Sequence, residues 1–270
     1  MTHTAFRLQG STREPDAAHR GTGLLMTATL VPPAGAVARN DPEERLKDYL
    51  DALDFYLSLP RDVVDRILFV DNSNADLNPL LSFVSAREHD KDVELISFAG
   101  NDHPVQRGKA YGEFRLMDFG LAQTSLFAPD DLIWKTTGRL RFLNLAEMSR
   151  QCSGMEFDIL CDLRNVPWVN ARKWRDHENM DLRVFAFRRR AYDAVFRGLW
   201  QDHEEGFDAN FLFHRVRESF PGLRIIHRFP VQPVLQGISG RHLHDYLSPQ
   251  QQSKDAIRRF LRMAAPWLWL

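Results

Sequence analysis

The chain of 270 residues carries 35 basic against 36 acidic side chains, a formal net charge of -1, with 44% apolar and 26% charged residues. That length buries a full core, and the composition excludes a disordered or fibrous chain. Near-neutral charge argues against nucleic acid as a partner, and two cysteines, Cys152 and Cys161, are too few for a disulfide framework or a cysteine zinc site.

Residues 1–22 are polar and aperiodic, without the apolar centre of a signal peptide, and are expected to form a mobile leader. Residues 24–30 are a short apolar run ended by Pro32-Pro33, which predicts a strand. No apolar run reaches the length of a membrane span, so the chain reads as a soluble protein of the cytoplasm. Asp41-Pro42-Glu43-Glu44 starts a helix, with Asp as cap and Pro at the first helical position. Leu46, Leu50, Leu53 and Leu57 predict its buried face. Residues 67–70 are a second strand, apolar throughout as in strands covered on both faces, and Asp71-Asn72-Ser73-Asn74 closes it. A helix opens at Asn78-Pro79, a third strand spans 93–98, and Ala110, Phe114, Met117 and Leu121 mark another helix. Residues 132–135 are a fourth strand. The alternation predicts an α/β fold with a mainly parallel sheet flanked by helices.

The second half is less regular. Strands are expected at 157–163, 183–187, 224–229 and 231–235, and helices at 188–199 and 206–220. The organisation expected is a single Rossmann-type domain over 23–250, with a nucleotide-binding half at 23–145 and an acceptor half at 146–250. An amphipathic helix and apolar tail follow over 251–270.

Ligands of open α/β sheets bind outside the carboxyl ends of the strands. There the sequence places Thr29, then Asp71-Asn72-Ser73-Asn74, then Arg107-Gly108-Lys109 opening a helix, then Lys135-Thr136-Thr137-Gly138-Arg139. A helix start bearing Arg107-Gly108-Lys109 suits an anion. It is no Walker A loop, and no G-x-G-x-x-G follows the first strand. Of the 35 basic residues 29 are Arg, which fits both GC-rich codon usage and guanidinium binding of phosphate.

Taken together the sequence resembles bacterial glycosyltransferases of capsule, O-antigen or exopolysaccharide synthesis, which have a GT-A type fold. The elements that carry the resemblance are Met26-Thr27-Ala28-Thr29-Leu30-Val31-Pro32, Arg45-Leu46 with Tyr49, Phe69-Val70-Asp71-Asn72-Ser73, Gly108-Lys109-Ala110-Tyr111-Gly112-Glu113 and Lys135-Thr136-Thr137-Gly138-Arg139. Asp181-Leu182-Arg183-Val184-Phe185, Gly206-Phe207-Asp208 and Pro233 with Gly237-Ile238-Ser239-Gly240 follow, so the similarity spans about 24–246. Asp71 stands where the group usually has Glu, and Asp208, with Glu204 and Glu205 just upstream, where Glu is common.

The resemblance implies a nucleotide-sugar donor and a saccharide or lipid-linked acceptor. Lys109, Lys135, Arg139 and Arg183 would offset the diphosphate charge. Thr27, Thr29, Asp71 and Asn72 would hold base and ribose, with Ser73, Glu113 and Gly138 beside them. Asp162, Arg164 and Ser239 would meet the acceptor, and Asp208, then Glu205, would be the general base. Each has a plainer alternative. Lys135 and Arg139 could pair with carboxylates, Glu113 could pair within its helix, and Asp162 with Arg164 could form an internal salt bridge.

GT-A enzymes often hold Mn²⁺ or Mg²⁺ with Asp-x-Asp. The only such motif here, Asp90-Lys91-Asp92, precedes the third strand and so falls at the wrong sheet edge, and no metal ligand is assigned. His242-x-His244-Asp245 reads as surface or acceptor-loop histidines, and Gly237-Ile238-Ser239-Gly240 has the wrong spacing for a nucleophile elbow. A sugar-phosphate nucleotidyltransferase would carry a Gly-rich basic loop after the first strand, where this chain has Val31-Pro32-Pro33-Ala34-Gly35. A non-catalytic nucleotide-sugar-binding module is the third class. In the last segment Ile257, Phe260, Leu261 and Ala264 share one helical face, with Arg258, Arg259 and Arg262 toward the other, before Trp267-Leu268-Trp269-Leu270. That pattern suits contact with the inner face of a membrane, or equally a helix covering the core or a homodimer partner.

Overall fold

The computed structural model describes residues 3–10, 22–103, 107–165, 178–201, 209–240 and 242–265. The Lys109 side chain, Glu204, Glu205, Asp208 and the Trp267–Leu270 segment of the sequence reading lie outside the described residues.

An eight-stranded sheet organises the chain, in the order β1(His3–Leu8), β4(Asp92–Phe98), β3(Arg66–Asp71), β2(Gly23–Ala28), β5(Leu132–Thr137), β10(Val184–Arg188), β7(Ile159–Leu160), β11(Ile225–Ile226). The strands β4, β3, β2 and β5 are mutually parallel. Two short pairs lie outside it, β6(Arg141–Phe142) with β12(Leu235–Gln236), and β8(Leu163–Arg164) with β9(Asn179–Met180).

Residue alternation assigns the two faces. Leu24, Met26, Phe69 and Trp134 point to the layer of α1(Pro42–Leu57), α2(Asn78–Ser85) and α4(Leu145–Cys152). Leu25, Leu68, Val70 and Ile133 point to α3(Gly108–Gln123), α5(Arg189–Val195) and α6(Ala209–Arg215). Both faces being covered explains why the central strands are apolar runs without polar alternation.

Two sequence expectations are corrected. Residues 3–8 of the supposed mobile leader form an edge strand antiparallel to β4, with His3 opposite Phe98 and Leu8 opposite Val93. The signal is faint because the strand is short and only Phe6 and Leu8 pack on the core. The buried face of α1 is centred on Arg45, Tyr49, Leu53 and Tyr56, with Leu46 and Leu50 half-buried at its border. The polar tips of that face all find partners in the loops at the sheet rim.

The last helix, α7(Pro249–Ala264), starts on Ser248, whose side chain accepts from Gln251 N. Among the described residues no helix is long and apolar enough to cross a membrane.

Candidate functional site

The parallel strand order 4-3-2-5 reverses direction at β2, whose two neighbours are reached by crossovers of opposite sense. The crevice between the carboxyl ends of β2 and β5 is therefore the topological switch point. Ala28 and Thr29 form one wall; Thr137, Gly138 and Arg139 form the other. Gly138 N donates to Thr27 O at 2.8 Å, and a Cβ on Gly138 would lie 2.9 Å from that oxygen. Only glycine lets the loop after β5 close against β2 there.

The β2 wall is held by residues buried beneath it. Arg45 donates through Nε to Thr29 O at 2.8 Å, through Nη1 to Arg39 O at 3.0 Å and through Nη2 to the Tyr49 hydroxyl at 3.1 Å. That hydroxyl accepts from Thr29 N at 3.0 Å. Thr29 Oγ1 meets Asn72 Oδ1 at 2.7 Å. Asp71 is fully buried and accepts from Leu30 N at 2.7 Å, Ser73 N at 3.0 Å, Ala75 N at 3.2 Å and Ser97 Oγ at 2.8 Å. Ser73 Oγ donates to Asp71 as well, and Val31 N donates to Ser73 Oγ at 3.0 Å. Asp71 and Ser73 thus clasp the loops after β2 and β3. A carboxylate so occupied shapes the crevice and has little capacity left for a ribose.

Lys135 also differs from a phosphate ligand. Opposite Leu25 in the ladder, its Cα lies three residues below the level of Ala28 and Asp71, about 10 Å down the strand, and its side chain rises under the rim into internal partners. It is completely buried and donates to Glu113 and to Leu182 O. Thr27 Oγ1 shares the same Glu113 oxygen at 3.2 Å. Thr27, Glu113 and Lys135 therefore form one polar cluster under the rim, joining α3 to β2 and β5.

Arg139 is different again. Burial pulls its guanidinium below the usual arginine range, with the nearby Arg45 adding to the effect. It donates to Ile238 O, and no carboxylate among the described residues lies within ion-pair distance. A half-buried cation with no direct ion pair among the described residues, and only the more distant Asp48 carboxylate to oppose its charge, suits an anionic ligand. The Gly237–Gly240 loop shapes this cradle. Gly240 O accepts from Ala38 N at 3.0 Å and Arg39 N at 3.1 Å, and a Cβ on Gly240 would stand 2.8 Å from Arg139 Nη2. Gly240→Ala is expected to leave the melting temperature within a few degrees, since the side-chain tip can swing away. Affinity for an anion at Arg139 should fall severalfold, measured by isothermal titration. Ser239, beside it, is buried; its hydroxyl accepts from His242 N at 3.3 Å, so it braces the loop.

A second polar cluster adjoins the crevice, linked where Thr137 N donates to Arg183 O at 2.9 Å. Asp162, Arg164, Asp181, Arg183, Gln232 and Tyr246 line a cleft closed by Arg258 and Arg262 of α7. Its free volume is about 20 Å3, room for about one water. Asp181 joins Arg164 at 2.7 Å and Arg183 at 2.5 Å; Arg262 joins Asp162 at 2.5 Å. Arg164 Nε, Arg262 Nε, Asp162 Oδ1 and Gln232 Oε1 are buried without a hydrogen-bond partner among the described residues. Each such group costs about 1–3 kcal/mol if left so, and two donors facing two acceptors match hydroxyl groups. The Asp162–Arg164 salt bridge foreseen in the sequence is replaced by Asp162–Arg262 and Arg164–Asp181. Gln232, Tyr246 and Arg262 were not singled out as ligands, because nothing local marks them.

The two acids titrate in opposite directions. Despite burial, Arg183 and Arg164 hold Asp181 far below the usual carboxylate range; burial pushes Asp162 up. Below pH ~4 the unfolded chain takes up a proton that folded Asp181 refuses, so stability falls with acid. Asp181→Asn is expected to lower stability at pH 7 and to flatten that acid limb, read by urea melts from pH 7 to 3.

Among the described residues no metal site for a diphosphate is assembled. Asp92 begins β4 at the opposite sheet edge with the buried Lys91 beside it, and both Asp71 oxygens are taken by the loops. Among the described residues no three His, Cys, Asp or Glu side chains converge. His242 and His244 are exposed, ring on ring at 6.2 Å.

No protein-family model matches the chain, and no curated protein matches it. Among solved structures, a Desulfovibrio desulfuricans G20 protein described as a "putative nucleotide-diphospho-sugar transferase" aligns with a TM-score of 0.38 at 11% identity, covering 76% of this chain and 78% of that one.

Proposed function

We propose that the protein is a glycosyltransferase of the GT-A type, moving a sugar from a nucleotide diphosphate to a hydroxyl of a saccharide or lipid-linked acceptor in bacterial surface-polysaccharide synthesis. One observation carries the reading: Arg139, a half-buried guanidinium without an ion-paired carboxylate among the described residues, at the switch-point crevice, beside a cleft whose buried donors and acceptors lack partners among them. Tyr246 borders both. The order of motifs resembling that enzyme group supports the same assignment.

In this reading the donor pyrophosphate lies against Arg139, its base and ribose against Thr29 and Asn72. Lys109, at the start of α3, is a further cation for it. The acceptor hydroxyl enters the small space of the cleft, near Asp162 Oδ1 and Arg164 Nε. As the bond from the anomeric carbon to the phosphate oxygen breaks, charge grows on the leaving diphosphate and Arg139 stabilises it. The acceptor oxygen forms the new bond and gives its proton to a carboxylate, for which Asp208 is the candidate and Glu205 the next. Arg183, engaged with Asp181 and set over the Tyr246 ring at 5.3 Å, positions that wall.

A thermal-shift panel of UDP-, GDP-, CMP- and TDP-sugars, followed by a donor-hydrolysis assay, tests the proposal. Stabilisation by a nucleotide sugar together with its turnover supports it. Binding without turnover makes the chain a binding module, and turnover only of a sugar phosphate with a nucleoside triphosphate makes it a nucleotidyltransferase.

A further inference from the structure

Helix α7 is amphipathic in the inverted sense. Gln251, Asp255, Arg258 and Arg262, spaced three or four apart, turn inward and line the cleft. Arg262 reaches Asp162 and, at 3.4 Å, Phe229 O. The opposite face carries Ala256, Ile257, Phe260, Met263 and Ala264, all exposed: Ile257 is 59%, Phe260 63% and Met263 78% open to solvent. No residue of α7 is buried. A helix placed to cover a core would show the reverse pattern, so this face is shaped for something outside the described residues.

Charge indicates what that is. On the helical wheel Lys254 flanks the apolar stripe on one edge and Arg259 on the other. Both are exposed, and neither has an ion-pair partner among the described residues. The only acid in the helix, Asp255, faces inward with Arg258 at 3.2 Å. An apolar stripe edged by unpaired cations is the pattern of a helix lying in a bilayer interface, where long basic side chains reach the headgroups. A second copy of the chain would bring like cations together with no acid on the face to answer them. Beyond α7 the sequence carries Trp267 and Trp269, a residue type that settles at headgroup depth.

We infer that the outer face of α7, through Ile257, Phe260 and Met263 flanked by Lys254 and Arg259, docks the protein on an anionic lipid surface. The cleft lies one helix diameter, about 10 Å, beneath that face. Resting on the functional reading above, this brings a headgroup-borne acceptor within reach of it.

Flotation of the full chain with vesicles of phosphatidylglycerol and phosphatidylcholine, against phosphatidylcholine alone, tests the docking independently of any activity. Binding should require the anionic lipid and weaken in 0.5 M NaCl. Ile257→Ser and Phe260→Ser should each reduce partition roughly tenfold, and Lys254→Gln and Arg259→Gln each roughly fivefold on anionic vesicles. These side chains make no buried contact, so unchanged circular dichroism is expected and checks the fold. Full-length protein that stays with the vesicle-free fraction overturns the inference. So does a concentration-dependent dimer, seen by light scattering, that the same serine variants dissolve. If docking holds while the nucleotide-sugar panel is negative, the surface stands and the glycosyltransferase reading falls.

Discussion

Arg139→Ala should lower nucleotide-sugar affinity ten- to hundredfold and cut turnover a further hundredfold or more, while the protein melts no lower than the wild type. The first part follows from the loss of charge-assisted bonds to phosphate, about 1.5–3 kcal/mol, and of a fixed cation facing charge that grows in the transition state. The second part distinguishes this residue from a structural arginine. Its guanidinium is desolvated, depressed in pKa and without a carboxylate partner among the described residues, so removing it relieves a cost. Arg139→Lys should restore only part of the affinity, because an ammonium cannot present the planar fork. Isothermal titration with the best nucleotide of the panel and a thermal melt decide the matter. Wild-type affinity in Arg139→Ala would remove the anion site, and a large fall in melting temperature would make Arg139 a packing residue.

The second large effect is on stability. Lys135→Met should destabilise the protein by about 3–5 kcal/mol, because a buried carboxylate, Glu113, would lose the Lys135 ammonium beside it. For a chain of this size that lowers the melting temperature on the order of 10 °C. The double variant Lys135→Met with Glu113→Leu should recover most of the loss, since a buried ion pair contributes little beyond well-packed apolar side chains. Were Lys135 instead a phosphate ligand, the single variant would melt normally and lose affinity. The double-mutant cycle, by urea denaturation, separates the two roles.

The site itself shows how far local sequence carries. Strand ends and turn residues place Thr29, Asn72, Gly138 and Arg139 at the rim, since a parallel α/β sheet collects its carboxyl ends on one edge whatever the details of packing. The same logic set Asp71 and Lys135 there, and both lie inside the protein: Asp71 clasps two loops, and Lys135 is buried beneath the rim against Glu113 and Leu182 O. An acid or lysine at a strand end looks the same in sequence whether its partner is a ligand or a residue many positions away. Arg45 was visible only as part of a motif. A basic residue one turn before an aromatic on an amphipathic helix ordinarily marks the solvent border, and here it is buried against Thr29 O.

What the sequence alone determined is periodic: the order of strands and helices from β2 to β5, the two-sided burial of the central strands, the capped start of α1 and the amphipathic character of α7. These follow from side-chain spacing over a few residues, which the chain carries in any environment. The tertiary structure decided what depends on pairing across distance. It recruited residues 3–8 as an edge strand, joined Asp162 to Arg262 one hundred residues away, and left Arg139 without an ion pair among the described residues. It also turned the charged face of α7 inward. A buried cation costs free energy in proportion to what it lacks around it, and that is set only when the whole fold has closed.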